Sequence, residues 1–353
     1  MKMALELAKA TEGQTAPNPV VGSVIVKDGQ IVGFGAHLRA GEEHAERHAL
    51  KMAGEKAKGA TMYVTLEPCS HFGRTSPCAD AVIEAGISKV IIASTDPNPL
   101  VAGQGIKKLR DANIETIVGV MREEADKLND VFFHFIKHKK PFVTLKSATS
   151  LDGKIATSIG ESQWITSEES RYDAHLLRHI HDAILVGVNT VIADDPSLTT
   201  RLEHGGKHPI RIILDTHLRT PVTAKLVTDK LAPTWIITTV KEEEKIDSLK
   251  ASGVSIILMD EITIPNVLSY LGKHNISSLL VEGGGKINDS FLRSGEFQQV
   301  IIYLAPKIIG GQGALSSFSG EGITTLSDAP KLTFSSMKQV GPDLKLTLLK
   351  GGD

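Results

Sequence analysis

Hydrophobic positions along this chain switch between two periods. Apolar residues recur every three or four positions through Met3 to Ala10, His44 to Ala53, Cys78 to Ala85, Gly105 to Ala112 and a longer stretch, Arg122 to Lys137. That spacing predicts amphipathic helices. Between them lie short runs rich in Val and Ile: Ser23 to Val26, Ile31 to Gly35, Met62 to Thr65, Val90 to Ala93 and Glu115 to Val118. These read as strands, the first two joined by a tight turn at Asp28-Gly29. The polar run His138-Lys139-Lys140-Pro141 closes this half, with a proline that stops the preceding helix. It divides the chain into domains 1–140 and 141–353. The second half predicts strands at Phe142 to Ala148, Ala183 to Val188, Ile210 to Leu214, Thr234 to Thr239, Ser255 to Leu258 and Ser278 to Val281. Leu151 to Lys154 reads as a turn. Helices are predicted at Ser167 to His179, with Ser167 as N-cap, at Ile264 to Lys273, and shortly after Val281. Val300 to Leu304, Leu332 to Ser336 and Leu344 to Leu349 read as antiparallel strands, the last two joined through Gly341-Pro342-Asp343. Both halves are therefore α/β, and the second ends in an antiparallel hairpin.

Composition narrows the class. A chain of 353 residues, 41% hydrophobic and 23% charged, has room for two cored domains. Its formal net charge of −2 argues against non-specific binding of nucleic acid or an anionic membrane. No apolar run approaches the ~18 residues of a membrane span, and the first helix carries Glu6 and Lys9 where a signal peptide would be apolar. The two cysteines leave no disulfide framework beyond the site described next, as expected in the cytoplasm.

Those cysteines are Cys69, in Pro68-Cys69, and Cys78, in Pro77-Cys78; upstream stands His44-Ala45-Glu46. One imidazole and two thiolates are three zinc ligands, which leaves a fourth position for water. Residues at i and i+2 do not share a helix side, so His44 and Glu46 can serve one ion only if it lies off the helix N-terminus. Cys78, after Pro77, has the same placement on its own helix. Glu46, not required as a ligand, is positioned to carry protons. His48 should point down the helix side, away from the ion, and Arg47 would have to snorkel.

This pattern resembles the zinc-dependent nucleobase deaminases, in which a Glu beside the His ligand is the general acid and base. The eight residues between the cysteines, and the stretch Thr65 to His71, look like the pyrimidine deaminase of riboflavin biosynthesis. The resemblance implies that Asn18, His71, Arg74 and Asn98 bind the pyrimidine or its ribose phosphate. His37 is a weaker phosphate candidate and reads more readily as a surface histidine.

In the second half, Glu282-Gly283-Gly284-Gly285-Lys286 follows an apolar strand and opens a helix, a place where phosphate can approach backbone N–H groups. Taken alone it is a weak signal, neither a dinucleotide fingerprint nor a P-loop. Ser147 to Lys154, Gln163 to Ser167, Gly187 to Thr190, Ala193 to Thr199, Leu214-Asp215 and Ala305 to Lys307 resemble the riboflavin-pathway pyrimidine reductase, a relative of dihydrofolate reductase. Together the two resemblances give the layout of the bacterial bifunctional riboflavin-biosynthesis family. They imply a cytidine-deaminase-like three-layer domain followed by a dihydrofolate-reductase-like domain. NADPH is then expected near Ala148, Trp164, Thr190, Asp194, Thr216, Gly284, Gly285, Lys286, Ile287, Asn288, Asp289 and Ser290. The sugar phosphate is expected near Ser162, Arg178, Leu198, Arg201 and Glu282. No proton donor for the reduction is named by the sequence; Glu282 and a water are the candidates. Family members usually carry a few more residues before the first helix, so this chain is expected to be clipped or to start late.

The expected function is zinc-dependent deamination of a diaminopyrimidine ribosyl phosphate, then NADPH-dependent reduction of the ribosyl side chain to ribityl. The expected partners are this small molecule and further copies of the chain. The alternatives are a nucleoside or tRNA deaminase with an accessory domain, and a catalytically dead zinc scaffold. Glu46 counts against the scaffold, since a structural site does not need it and usually takes a fourth protein ligand.

Overall fold

A computed structural model describes residues 1–70, 76–98 and 102–351. The chain divides into two compact units, Met1–Lys139 and Lys140–Asp353. In the first, the element order is α1 (Lys2–Lys9), β1 (Gly22–Lys27), β2 (Gln30–Ala36), α2 (Ala45–Ala53), β3 (Thr61–Leu66), α3 (Cys78–Glu84), β4 (Lys89–Ser94), α4 (Gln104–Asp111), β5 (Glu115–Val118), α5 (Arg122–Leu128) and α6 (Asp130–His138). The five strands form one sheet in the order β2-β1-β3-β4-β5. β1 pairs antiparallel with β2 and β3, whereas β3, β4 and β5 run parallel. The hairpin turn falls at Asp28 and Gly29, both at positive φ.

Two features of this unit position the metal-site helix. A Cβ on Gly33 would stand 2.2 Å from the Ala49 carbonyl oxygen, and one on Gly35 would stand 2.7 Å from that of Ala45. The two glycines thus let α2 lie directly on β2. Its alanine face, Ala45, Ala49 and Ala53, enters the core with Ile25, Met62, Val64, Val90 and Ile92.

The stretch expected as one helix, Arg122 to Lys137, is two. Asn129 interrupts it, because its buried side chain is spent on another strand entry: Oδ1 accepts from the Val20 N–H at 2.9 Å and Nδ2 donates to the Val20 carbonyl at 3.0 Å. A residue that satisfies the backbone of Val20 is held where a straight helix would not leave it.

The second unit runs β6 (Phe142–Ser150), α7 (Glu168–Ile180), β7 (Ala183–Gly187), α8 (Val188–Asp194), β8 (Ile210–Leu214), α9 (Lys225–Thr228), β9 (Thr234–Thr238), α10 (Glu243–Ala251), β10 (Ser255–Leu258), α11 (Ile264–Lys273), β11 (Ser278–Val281), α12 (Gly285–Ser294), β12 (Gln299–Ala305), β13 (Leu332–Val340) and β14 (Asp343–Lys350). Its nine strands follow the order β10-β9-β8-β7-β11-β6-β12-β14-β13. All pairings from β10 to β12 are parallel, and β12-β14 and β14-β13 are antiparallel. The parallel strands are buried on both faces, which is why β7 and β11 are apolar at nearly every position. Ser167 caps α7 by accepting from the Ser170 N–H at 3.3 Å. The short helices α8, α9 and α10 were not apparent from periodicity. Among the described residues no helix is long and apolar enough to cross a membrane.

Candidate active sites

In the first unit, His44 is the N-cap of α2, with extended backbone (φ −77°, ψ 162°). Cys69 follows the end of β3, and Cys78 is the first residue of α3, after the N-cap Pro77. His44 Nδ1 lies 3.6 Å from Cys69 Sγ and 3.2 Å from Cys78 Sγ, and the three donor atoms fall within 4.8 Å of one another. A tetrahedral ion with bonds of about 2.0–2.3 Å keeps its ligand atoms roughly 3.3–3.8 Å apart. The donor set and its spacing therefore fit zinc. The Cys78 N–H donates to Cys69 Sγ at 3.3 Å, which favours a thiolate there. The Cys78 thiol beside Cys69, more than the His44 imidazole, pulls the Cys69 pKa down to about 4, and sharing one proton pushes Cys78 up. Glu46 is buried, and one of its carboxylate oxygens has no hydrogen-bond partner among the described residues. Burial, reinforced by the negative Cys69, raises its pKa to about 7. A carboxyl poised there can both take and return a proton near neutral pH.

Around this centre the structure revises one expectation. His37 is not a surface residue; it is 2% exposed, its ring edge-on to His44 with centroids 5.2 Å apart. Its Nε2 lies 3.2 Å from Asn18 Nδ2 and its Nδ1 3.1 Å from the Glu43 carbonyl oxygen. An amide donating to Nε2 requires the proton on Nδ1, which then donates to Glu43. Burial lowers the His37 pKa, which favours the neutral ring. Asn18 is thereby held close to the metal site. Asn98 follows β4, its N–H donating to Asp96 Oδ1 at 2.8 Å. His71 and Arg74 lie outside the described residues. Arg47 turns to Ser76, donating to its carbonyl and hydroxyl, and His48 is not among the clustered donors. Sequence reasoning missed Glu67. Its buried carboxylate accepts N–H groups of Asp96 (3.4 Å), Gly103 (3.0 Å) and Ile106 (3.2 Å). It ties the segment bearing Asn98 to the turn bearing Cys69. The apolar strand running straight into a carboxylate was the available signal.

In the second unit Glu282 follows β11, beside β6. Arg178, near the end of α7, donates to it twice, Nε at 2.7 Å and Nη2 at 3.0 Å, and Lys146 Nζ lies 3.3 Å away. All three side chains are at most 14% exposed. Burial alone would raise the Glu282 pKa, but Arg178 and Lys146 outweigh it and hold the group well below the ordinary carboxylate range. Glu282 is therefore a fixed carboxylate, not a proton donor, and that candidate is withdrawn. Lys146 Nζ also stands 5.7 Å from the centroid of the Tyr303 ring. The Tyr303 hydroxyl donates to Asp173, which Lys345 contacts at 2.6 Å. Lys146 was missed, although a lysine within an apolar parallel strand was a visible anomaly. His175, one turn before Arg178, has a buried Nδ1 without a partner among the described residues; burial, with Arg178 and Arg201, lowers its pKa to about 4. Arg201 is exposed, and Ser162 is half-buried. The Leu198 side chain is in the core, at positive φ, so only its backbone can face a ligand.

The expected cofactor residues lie at the carboxyl ends of the central strands, where open α/β sheets bind ligands. Gly284 is the N-cap of α12. A Cβ on Gly284 would meet nothing nearer than Thr190 Oγ1, at 3.9 Å, whereas one on Gly283 would stand 2.6 Å from Ile287 Cβ. The loop is thus close-packed behind and open in front, a cradle that fits a pyrophosphate at a helix N-terminus. Gly285, Lys286 and Ile287 form the first turn. Asn288 and Asp289 differ from expectation: their side chains are buried against residues 317–320, Asn288 donating to the Ser317 carbonyl at 2.9 Å. Ser290 donates to the Lys286 carbonyl. Trp164 is 61% exposed, with the Arg171 guanidinium 4.6 Å from its ring centroid. Thr190, Asp194 and Thr216 stand on α8 and just after β8, and Ala148 on β6.

Comparison with known proteins matches the two units to different families. Residues 141–346 match the RibD C-terminal domain, and residues 1–94 match the cytidine and deoxycytidylate deaminase zinc-binding region. The chain is 52% identical over 360 residues to the riboflavin biosynthesis protein RibD of Bacillus amyloliquefaciens, covering 100% of this chain and 97% of that protein. It is 51% identical to the RibD of Aquifex aeolicus, with 98% and 96% covered. Among solved structures it resembles Acinetobacter baumannii RibD (TM-score 0.89, 38% identity, 99% and 97% covered). It likewise resembles a Thermotoga maritima diaminohydroxyphosphoribosylaminopyrimidine deaminase/5-amino-6-(5-phosphoribosylamino)uracil reductase (TM-score 0.90, 39% identity, 99% and 97% covered).

Proposed function

The chain belongs to the RibD family, enzymes of riboflavin biosynthesis with deaminase and reductase activities that use zinc and NADPH, and from that premise we propose how its residues divide the work. Residues 1–140 carry the deamination and residues 141–353 the reduction. His44, Cys69 and Cys78 hold the zinc, which when bound supplies a water that ionises near neutral pH. Glu46 would take one proton from that water and pass it to the pyrimidine ring, then carry the water's second proton to the departing ammonia. Asn18, fixed by His37, and Asn98 orient the pyrimidine edge, and His71 and Arg74 take the phosphate. The observation that supports this assignment is the buried Glu46 carboxyl, one oxygen of which has no partner among the described residues, beside a three-donor cluster.

In the second unit NADPH, when bound, supplies the hydride that converts the ribosyl side chain to ribityl. The α12 N-terminus and Lys286 take its pyrophosphate, with Ala148 and Trp164 at the nicotinamide end and Thr190, Asp194 and Thr216 further along. Arg178 and Arg201 take the substrate phosphate together with Ser162 and the Leu198 backbone. Glu282 keeps Arg178 and Lys146 in place, and Lys146 holds the proton that the opening ring oxygen needs. The partner in solution is a second copy of the chain, a reading supported by edge strand β13, where Phe334 and Met337 are 58% and 67% exposed. The cytoplasm is the compartment assigned.

The test is a paired assay on the diaminopyrimidine ribosyl phosphate, following ammonia with and without NADPH, and NADPH loss. Ammonia without NADPH, and NADPH loss only after deamination, is the expected result. Ammonia with no NADPH loss would overturn the assignment of the second unit.

A further inference from the structure

We propose that Arg219 takes the 2′-phosphate of NADPH and sets this enzyme's preference for NADPH over NADH. The proposal rests on the cofactor assignment above and extends it to a residue outside that set.

The placement follows from strand order. β6, β11, β7 and β8 are consecutive neighbours in the sheet and all parallel. With the nicotinamide end at Ala148 on β6 and the pyrophosphate at α12, after β11, the adenosine end extends over β7 towards β8. Three strand spacings are about 14 Å, of the order of an extended dinucleotide. The side-chain contacts follow that line. Gly284 faces Thr190, and the neighbouring Asn189 Oδ1 accepts from Arg219 Nη2 at 2.7 Å. Arg219, in the loop after β8, is a cation two strands beyond β11 and the pyrophosphate cradle that follows it. Lys286 stands at the cradle itself, and Arg178 and Arg201 are taken up with Glu282 and the substrate phosphate.

The loop carrying Arg219 is built to hold still. The fully buried Asp215 accepts the Arg219 N–H at 2.8 Å and the Thr220 N–H and hydroxyl at 2.7 Å each. Leu218, at φ +50°, anchors the loop with a side chain 1% exposed. The Thr216 carbonyl accepts hydroxyls from Thr238 and Thr239. Arg219 itself is exposed, and among the described residues it forms no ion pair. Its side-chain partner is a neutral amide that orients the guanidinium without neutralising it. An oriented, uncompensated guanidinium suits a phosphate dianion, and the 2′-phosphate is the one group that NADPH has and NADH lacks.

Calorimetric titration of the full, zinc-loaded chain with NADP⁺, NAD⁺ and adenosine 2′,5′-bisphosphate tests this without turnover. For Arg219→Gln, the Kd for NADP⁺ and for the bisphosphate should rise about 10- to 100-fold, the loss of one charge-assisted pair, while the Kd for NAD⁺ moves less than about twofold. Arg219→Lys should restore part of the loss. The KM for NADPH should follow its Kd, and ammonia release should not change. An unchanged NADP⁺/NAD⁺ affinity ratio in Arg219→Gln would overturn the proposal, as would equal loss of both nucleotides, which would make the residue a support of the loop. A wild-type chain that binds neither nucleotide would overturn the cofactor assignment first, a failure distinguishable because it precedes any substitution.

Discussion

Replacing Glu282 with Gln should destabilise the second unit and silence the reductase while leaving deamination intact. The substitution keeps the volume and removes one charge. It leaves Arg178 and Lys146, whose side chains are both 14% exposed, facing each other without the carboxylate that separates them. Breaking a buried ion pair by removing one partner typically costs about 3–5 kcal/mol, because the surviving charge is stranded away from water. For a unit of this size each kcal/mol is worth about 2–4 °C of melting temperature. The loss should therefore be on the order of 6–20 °C in the reductase transition, read by calorimetry. The pH dependence has a definite sign. The folded-state pKa of Glu282 lies below its unfolded value, with Arg178 and Lys146 outweighing the burial that alone would raise it. Its contribution is thus fully present above the unfolded carboxylate range and is lost as pH falls through the folded pKa. Wild type and Glu282→Gln should differ most at neutral pH and converge under strong acid. The double variant Glu282→Gln, Lys146→Met removes one stranded cation and should recover part of the loss. If Glu282→Gln melts within about 1 °C of wild type and still oxidises NADPH, the three-residue network neither stabilises the second unit nor supports its activity.

Glu46→Gln should bind zinc at wild-type stoichiometry by metal analysis, lose deamination by about 10²- to 10⁴-fold, and still reduce the deaminated product; simultaneous loss of both activities would contradict two separate sites. Cys78→Ser should lower zinc affinity and abolish ammonia release while leaving NADPH oxidation on the deaminated product, and retained zinc after dialysis would count against Cys78 as a ligand. Glu67→Gln keeps one acceptor oxygen for the segment that bears Asn98, so the KM for the diaminopyrimidine should rise more than kcat falls; a pure kcat effect would place Glu67 in a different role. Asn129→Ala gives up both bonds to Val20 and should cost about 1–3 kcal/mol in the first unit, measured by denaturant unfolding, with no change in the second.

The elements that sequence periodicity identified are those with a wide apolar stripe or a fully buried strand. β7, β8 and β11, and the helices α2 and α11, carry their identity locally. The helix expected over Arg122 to Lys137 failed because Asn129 answers to Val20, 109 positions away, and no window on the helix contains that information. α8 begins directly where β7 ends, at Val188. Its apolar residues therefore read as a continuation of the strand, and the change of period falls inside a single hydrophobic run.

The two sites were legible to different degrees for a physical reason. A zinc centre needs rare ligand types with lone pairs at fixed separation, and His44, Cys69 and Cys78 stand out because cysteine occurs nowhere else in the chain. The end-on geometry also followed from sequence, since His44 and Glu46 are too close in number to share a helix face and the structure makes His44 the N-cap. The candidate site of the second unit uses common residues, and its informative contacts cross the sheet. Lys146 on β6 meets Glu282 after β11, and Tyr303 on β12 meets Asp173 on α7 and sits opposite Lys345 on β14. Each of these residues alone reads as a charge at a strand edge or on a helix. Only the register that sets β6 beside both β11 and β12 turns them into one row of alternating charge. The two cations then decide its chemistry: the same Glu282 that looked like a candidate acid in the sequence becomes, between Arg178 and Lys146, a carboxylate with no proton to donate.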